Sequence, residues 1–223
     1  MSNTIELAAE RIEGYHRIRK GFNLTGNPER SHTWSLQLLN ILRGSPVIGE
    51  IGMKQIREWC HFPDLEAEIE VGNFHLGELT MNYPVGTAAG MFKRADRVPW
   101  ELFQEGGMQV GFVTVGCSLY GQPGNAKPRH FSFPNKDGIG GAGINRYGLN
   151  NPGARPTADS LALARKQQRI PPGLLIVANI FNGASTLEQD KSAELIRITQ
   201  LIINHVDAIE VNISCPNQKG GRD

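Results

Sequence analysis

The run Val211-Asn212-Ile213-Ser214-Cys215-Pro216-Asn217 sets two amides and a thiol beside one another at the end of an apolar stretch that also holds Val206, Ala208 and Ile209. A β-branched run of that length reads as a strand, and a strand that serves only the core has no need of such a tip. A thiol, with an ordinary pKa of about 8.5, is a far better proton acceptor near neutrality than a serine hydroxyl. Cys215 is therefore a candidate proton-transfer residue. The alternative is a buried, inert cysteine, the common state of a free thiol. The flanking Asn212 and Asn217 favour the catalytic reading.

Further chemistry lies upstream. Lys93 closes the stretch Pro84-Val85-Gly86-Thr87-Ala88-Ala89-Gly90-Met91-Phe92; it could be a solvated loop lysine, but its place on the same strand-end face as Cys215 favours holding an anion. The glycine-rich segments 121–129 and 138–153 read together as one long connection without regular structure, which compact domains rarely carry without use. Asn145, Asn150 and Asn151 can each donate and accept, the requirement for reading carbonyl and N–H groups of a small heterocycle. Glycine and asparagine also mark ordinary surface turns, so the loop alone does not decide between the two. Cys60, Cys117 and Cys215 are far apart with no CxxC pair, and His16 and His32 lack ligand spacing, so no metal site is expected.

The elements that must position these residues follow a βα rhythm. Apolar strands are expected over 85–89, 111–115, 174–180 and 208–213, with helices near 99–106, 157–169 and 186–204, the last capped by Ser185 or Thr186. Each strand ends in small or polar residues: Gly90 and Lys93, Gly116 and Cys117, Asn179, then Asn212 and Cys215. In a (β/α)8 barrel that C-terminal end of the strands is where active sites are built. The expected fold is α/β, the N-terminal half of a (β/α)8 TIM barrel, preceded by a small helical extension. A hairpin is expected over 74–83. The expected division is 1–73 for the extension and 74–223 for the half-barrel.

With 223 residues, 39% of them hydrophobic, the chain can bury a substantial core. A formal net charge of +1 with interleaved signs gives no reason to invoke nucleic acid. The charged, amphipathic start has no apolar core of a secretion signal, and no run reaches the roughly 18 residues of a membrane span. Unpaired cysteines fit a reducing compartment.

Taken together, these motifs resemble the dihydroorotate dehydrogenase family, flavin enzymes of pyrimidine (UMP) biosynthesis. Asn27-Pro28-Glu29-Arg30-Ser31-His32 and Gly44-Ser45-Pro46 look like the helical extension of the quinone-linked, membrane-associated class. The 84–93 stretch is similar to that class's first barrel strand, and the resemblance implies that Ala89 and Gly90 lie on FMN while Lys93 meets both flavin and substrate carboxylate. Asn145-Arg146-Tyr147-Gly148-Leu149-Asn150-Asn151 looks like the family's substrate loop, in which the resemblance implies that residues 145–149 bind substrate. Asn179 and Asn212 match the two asparagines that contact flavin, Asn212 and Asn217 match substrate-binding positions, and Cys117 stands where a flavin-contacting threonine is usual. Cys215 matches the base of the soluble class, where the quinone-linked class carries serine, and Phe92 replaces a common acidic residue.

The resemblance implies oxidation of dihydroorotate to orotate, with Cys215 taking the C5 proton and FMN the C6 hydride, and with quinone as acceptor near the N-terminal helices. It implies a cytoplasmic protein, peripheral at the inner face of the membrane; the bland alternative for those helices is docking against the barrel. The chain is expected to be a fragment ending after the fourth barrel strand, weak in flavin binding alone. Competing expectations are another flavin-dependent pyrimidine or dihydrouridine oxidoreductase, and a non-catalytic half-barrel that binds a partner.

Overall fold

The computed structural model describes residues 69–74, 77–81, 83, 85–104, 107–120, 129–134, 141–183 and 188–213, with isolated positions at 37, 41, 45, 50–52 and 54. The expected N-terminal helices, the cap at Ser185 or Thr186, and the tip from Ser214 onward lie outside the described residues. In chain order the described elements are β1 (Ile69–Phe74), β2 (Gly77–Met81), β3 (Phe112–Ser118), β4 (Arg129–Pro134), β5 (Gly141–Arg146), α1 (Ala154–Lys166), β6 (Leu175–Ile180), α2 (Lys191–Ile202) and β7 (Ala208–Val211). The chain divides into two compact units, Met1–Glu50 with Pro128–Tyr147, and Ile51–Lys127 with Gly148–Asp223.

The larger unit holds a parallel sheet in the order β3-β6-β7. Its registers pair Gly116 with Asn179 and Asn179 with Glu210, so the strand ends align at one edge. Val113, Val115, Ile176, Ala178 and Ile180 are fully buried, the near-continuous apolar character of parallel strands covered on their faces. Helices α1 and α2 cover β6 through Ala154, Ala158, Ile198 and Ile202, packed with Ala178 and Ile180. Parallel strands joined by helices in this alternation form the first half of a (β/α)8 barrel.

The strand expected over 85–89 is reduced to isolated parallel bridges, Gly86 to Phe112 and Phe92 to Val115. The reason is local. A Cβ on Gly86 would lie 2.4 Å from the Phe112 ring, and Gly90 turns the chain at φ 88°. The Gly111 N–H still donates to the Val85 carbonyl at 2.7 Å and Thr87 N–H to Phe112 at 3.1 Å, so the segment remains laid along β3.

Helix α1 begins before the expected position 157 because Pro156 falls in its first turn, where a missing N–H costs nothing. Helix α2 begins at Lys191 rather than near 186, after a 3-10 turn over Glu188–Asp190. Of the helix expected over 99–106, the described part is a single 3-10 turn, Trp100–Phe103, separated by Pro99 from an earlier 3-10 turn over Ala95–Arg97. The edge opposite the strand tips is tied by Asp207, whose Oδ2 accepts from Ile176 N–H at 2.7 Å and from Arg165 Nη2 at 3.0 Å. The hairpin expected over 74–83 is β1 with β2, starting earlier, at Ile69.

In the smaller unit the connection expected to lack regular structure contains an antiparallel hairpin, β4 with β5, pairing Phe131 with Ile144 and His130 with Asn145. Glycines at 141 and 143 obscure the strand, since glycine is depleted in strands. The alternation His130-Phe131-Ser132-Phe133 is the signal that carries it.

Candidate active site at the strand ends

The first strand contributes a shelf of small residues. Ala88 and Ala89 are exposed, Gly90 is half-buried, and a Cβ added at Gly90 would meet nothing within 4 Å. A flat ring can therefore approach this backbone closely. The turn is closed by Met91 N–H on the Ala88 carbonyl at 3.3 Å. Phe92 then points into the core, edge-on to Phe103 with ring centroids 6.1 Å apart. This explains an apolar residue before the lysine. Lys93 follows, half-buried, and the adjacent Arg94 is paired through Nε and Nη2 with both Asp96 oxygens at 3.0 and 2.9 Å. That hydrogen bond raises the Arg94 pKa; for Asp96, burial pushes the carboxyl up but the Arg94 partner outweighs it and holds it below its ordinary value.

At the tip of β3, Gly116 adopts φ 124°, and a Cβ there would lie 2.4 Å from the Asn179 carbonyl, so both the conformation and the space call for glycine. The Gly116–Cys117 peptide is cis. Cys117 is half-buried against a cluster formed by Leu119, Leu149 and Phe181.

The segment after Tyr147 is clipped to this tip. Gly148 and Leu149 both take positive φ, 58° and 56°, and the Leu149 side chain packs with Leu119 and Phe181, the residues that follow β3 and β6. Asn151, buried, accepts from Gly153 N–H at 2.7 Å and Leu119 N–H at 3.3 Å and donates to the Leu149 carbonyl. Its amide positions the loop. The loop after β6 is held similarly, Gly183 N–H donating to the buried Glu194 Oε2 at 3.0 Å.

The densest polar group joins β6 and β7. Asn179, 0% exposed, donates through Nδ2 to Glu210 Oε1 at 2.7 Å and accepts through Oδ1 from Asn212 Nδ2 at 3.3 Å. Asn212 extends β7 by donating its N–H to the Ile180 carbonyl at 2.9 Å. Glu210 is a member that sequence reasoning missed. Its signal was the strand period of two, which puts positions 210 and 212 on one face.

The structure thus brings Ala89, Gly90, Lys93, Cys117, Asn179 and Asn212 to the C-terminal ends of adjacent parallel strands. Tyr147 and the backbones of Asn145 and Arg146 belong to the hairpin unit, while Gly148 and Leu149 belong to the sheet unit. Cys215 and Asn217 lie outside the described residues. Among the described residues no group of three or more His, Cys, Asp or Glu could hold a metal, and no helix is long and apolar enough to cross a membrane.

Fold and placement define a β/α-barrel type of chain with a polar, small-residue site at its strand ends. Residues 73–223 match the family model described as Dihydroorotate dehydrogenase, and the chain belongs to that family, one of flavin-dependent oxidoreductases. It is 34% identical over 198 residues to the dihydroorotate dehydrogenase (quinone) of Cellvibrio japonicus, covering 88% of this chain and 49% of that protein. To the protein of the same name from a Marinomonas species it is 40% identical over 139 residues, 62% and 36% of the two chains. To that of a Synechococcus species it is 32% identical over 200 residues, 89% and 48%. The chain spans about half the length, or less, of these curated relatives.

Proposed function

We propose that this chain carries the flavin- and substrate-binding strand ends of an enzyme that oxidises dihydroorotate to orotate, with FMN as cofactor and quinone as final acceptor. The observation that carries the proposal is the convergence of Asn179 and Asn212 at the tips of β6 and β7, in a sheet to which the segment with the open Gly90 shelf and Lys93 is bridged at β3.

The residues fit a flavin. The Ala88-Ala89-Gly90 shelf admits a ring without steric obstruction, and Lys93 and Asn212 supply groups suited to ring carbonyls and N–H groups, with the fully buried Asn179 holding Asn212 from behind. When bound, FMN supplies the acceptor for the hydride that leaves C6. The protein's own groups do the rest. The Lys93 ammonium pairs with the substrate carboxylate and offsets negative charge developing on the ring. Cys215 takes the C5 proton: the C5–H bond breaks toward sulfur and its electrons form the C5=C6 bond. Asn217 holds the pyrimidine ring with Asn212, so that proton and hydride leave from aligned positions.

Quinone as acceptor is supported by the names of the relatives, each a dihydroorotate dehydrogenase (quinone). In this reading residues 1–73 form the quinone-facing extension and the protein sits in the cytoplasm, peripheral to the inner membrane face. The test is FMN retention by the purified chain, followed by wild-type and Lys93→Ala titrations with orotate. Retained FMN, with orotate binding weakened roughly tenfold or more by the loss of a charged hydrogen bond, supports the proposal. Orotate binding indifferent to Lys93→Ala refutes the assigned role.

A further inference from the structure

Glu210 is an acidic residue in a strand whose neighbours are Ile209 and Val211, and nothing in the proposed reaction uses it. Its geometry is nevertheless specific. It stands opposite Asn179 in the β6–β7 register, and its Oε1 lies 2.7 Å from Asn179 Nδ2, the shortest link in a chain that continues from Asn179 Oδ1 to Asn212 Nδ2 at 3.3 Å.

An asparagine amide can present oxygen or nitrogen to a neighbour with almost no change in shape, so its polarity is decided by its partners. An ionised carboxylate only accepts. Opposite Glu210, Asn179 must therefore present Nδ2, which turns Oδ1 toward Asn212 and requires Asn212 to present its own Nδ2. Two amides at the strand-end site thus take their orientation from one carboxylate. The charge-assisted first link is stronger than a neutral amide pair, so the order runs outward from Glu210.

We propose that Glu210 is a positioning residue that sets the amide polarity of Asn179 and, through it, of Asn212. The consequence for ligand recognition rests on the flavin reading above: with its polarity fixed in advance through the buried Asn179, Asn212 presents one pattern of donor and acceptor to the ring. Loss of Glu210 leaves the side chains in place with their orientation no longer imposed.

The test is side-chain amide NMR on the full chain with 15N-labelled asparagine, comparing wild type with Glu210→Gln, which keeps shape and removes the charge. The expected result is displacement of the Nδ2 signals of both Asn179 and Asn212. In an Asn179→Ser background the same change at position 210 leaves Asn212 unmoved. Asn212 signals unaffected by Glu210→Gln, accompanied only by a lower melting temperature, overturn the proposal by showing a purely structural role. So does an equal displacement of Asn212 in the Asn179→Ser background. If that double variant fails to fold, the single variant still decides the first point. FMN titration of the same samples is read separately, with an expected roughly tenfold weakening in Glu210→Gln. A wild-type chain that retains no FMN counts against the flavin reading, while the amide signals still decide the role of Glu210.

Discussion

Asn212 donates its side-chain N–H to the Asn179 side-chain oxygen at 3.3 Å, linking the tip of the edge strand β7 to a residue with no solvent exposure. The same Asn179 donates to Glu210 at 2.7 Å, so the amide bridges a carboxylate and a second amide. Substituting Asn179→Asp replaces that donor with a carboxyl facing another carboxylate. The new carboxyl's folded-state pKa rises above its unfolded value near 4, because ionising it would put like charges in contact. A raised carboxyl pKa means the folded state binds the proton more tightly. Stability is then greatest below the unfolded pKa and is lost as pH rises through the folded one. Urea unfolding should show Asn179→Asp weakened by about 2 kcal/mol at pH 7.5, with most of that loss recovered only below the unfolded value, near pH 3. A pH-independent deficit would show that the two side chains separate.

Two glycines near the site fail differently when given a methyl group. At Gly116 a Cβ meets the Asn179 carbonyl at 2.4 Å and φ is 124°, so Gly116→Ala must move backbone in the sheet and should cost more than about 2 kcal/mol. At Gly90 the space is open, and only the positive φ is unfavourable, so Gly90→Ala should cost about 1 kcal/mol. Its larger effect falls on flavin, because the methyl occupies the shelf. Denaturation midpoints and FMN titration, measured side by side, separate the two effects.

Asp207 accepts from the buried Ile176 N–H and from half-exposed Arg165. Removing the acceptor strands a backbone donor, and Asp207→Ala should cost about 1–3 kcal/mol. Arg165→Ala loses the exposed ion pair and should cost less than about 1 kcal/mol. Equal costs in thermal or urea unfolding would contradict this ordering.

The Arg94–Asp96 pair beside Lys93 has its own pH signature. Asp96 is held below its ordinary value of 3.8, so its contribution is present above that value and lost as pH falls through the lower folded-state pKa. Both side chains are 43% exposed, and solvent screening limits the effect of Asp96→Asn to well under 1 kcal/mol near neutrality. The difference from wild type should vanish in strong acid. Acid unfolding curves that stay offset there would assign Asp96 some other role.

The sheet was legible where residues are apolar and continuous: the strands at 111–115, 174–180 and 208–213 correspond to β3, β6 and β7 within a few positions. Candidate site residues at those strand ends were legible because buried strands rarely finish in Asn or Cys. The β4/β5 hairpin was not, since Gly141 and Gly143 carry no strand preference and only their register with Pro134 and Ser132 orders them. Gly86 concealed the weakness of the first strand, because the requirement comes from the Phe112 ring across the sheet. Glu210 was missed because a charge on an edge strand ordinarily faces water. Its partner is supplied by the strand pairing, which no single segment reveals.

The central claim is best tested by the visible spectrum of the FMN-loaded chain under anaerobic conditions, before and after dihydroorotate, for wild type and Cys215→Ala. The account predicts bleaching of the flavin band in wild type and little or none in the variant, since the C5 proton then has no acceptor. Flavin that is retained and never bleached by dihydroorotate, or bleaching at the same rate without Cys215, would contradict it.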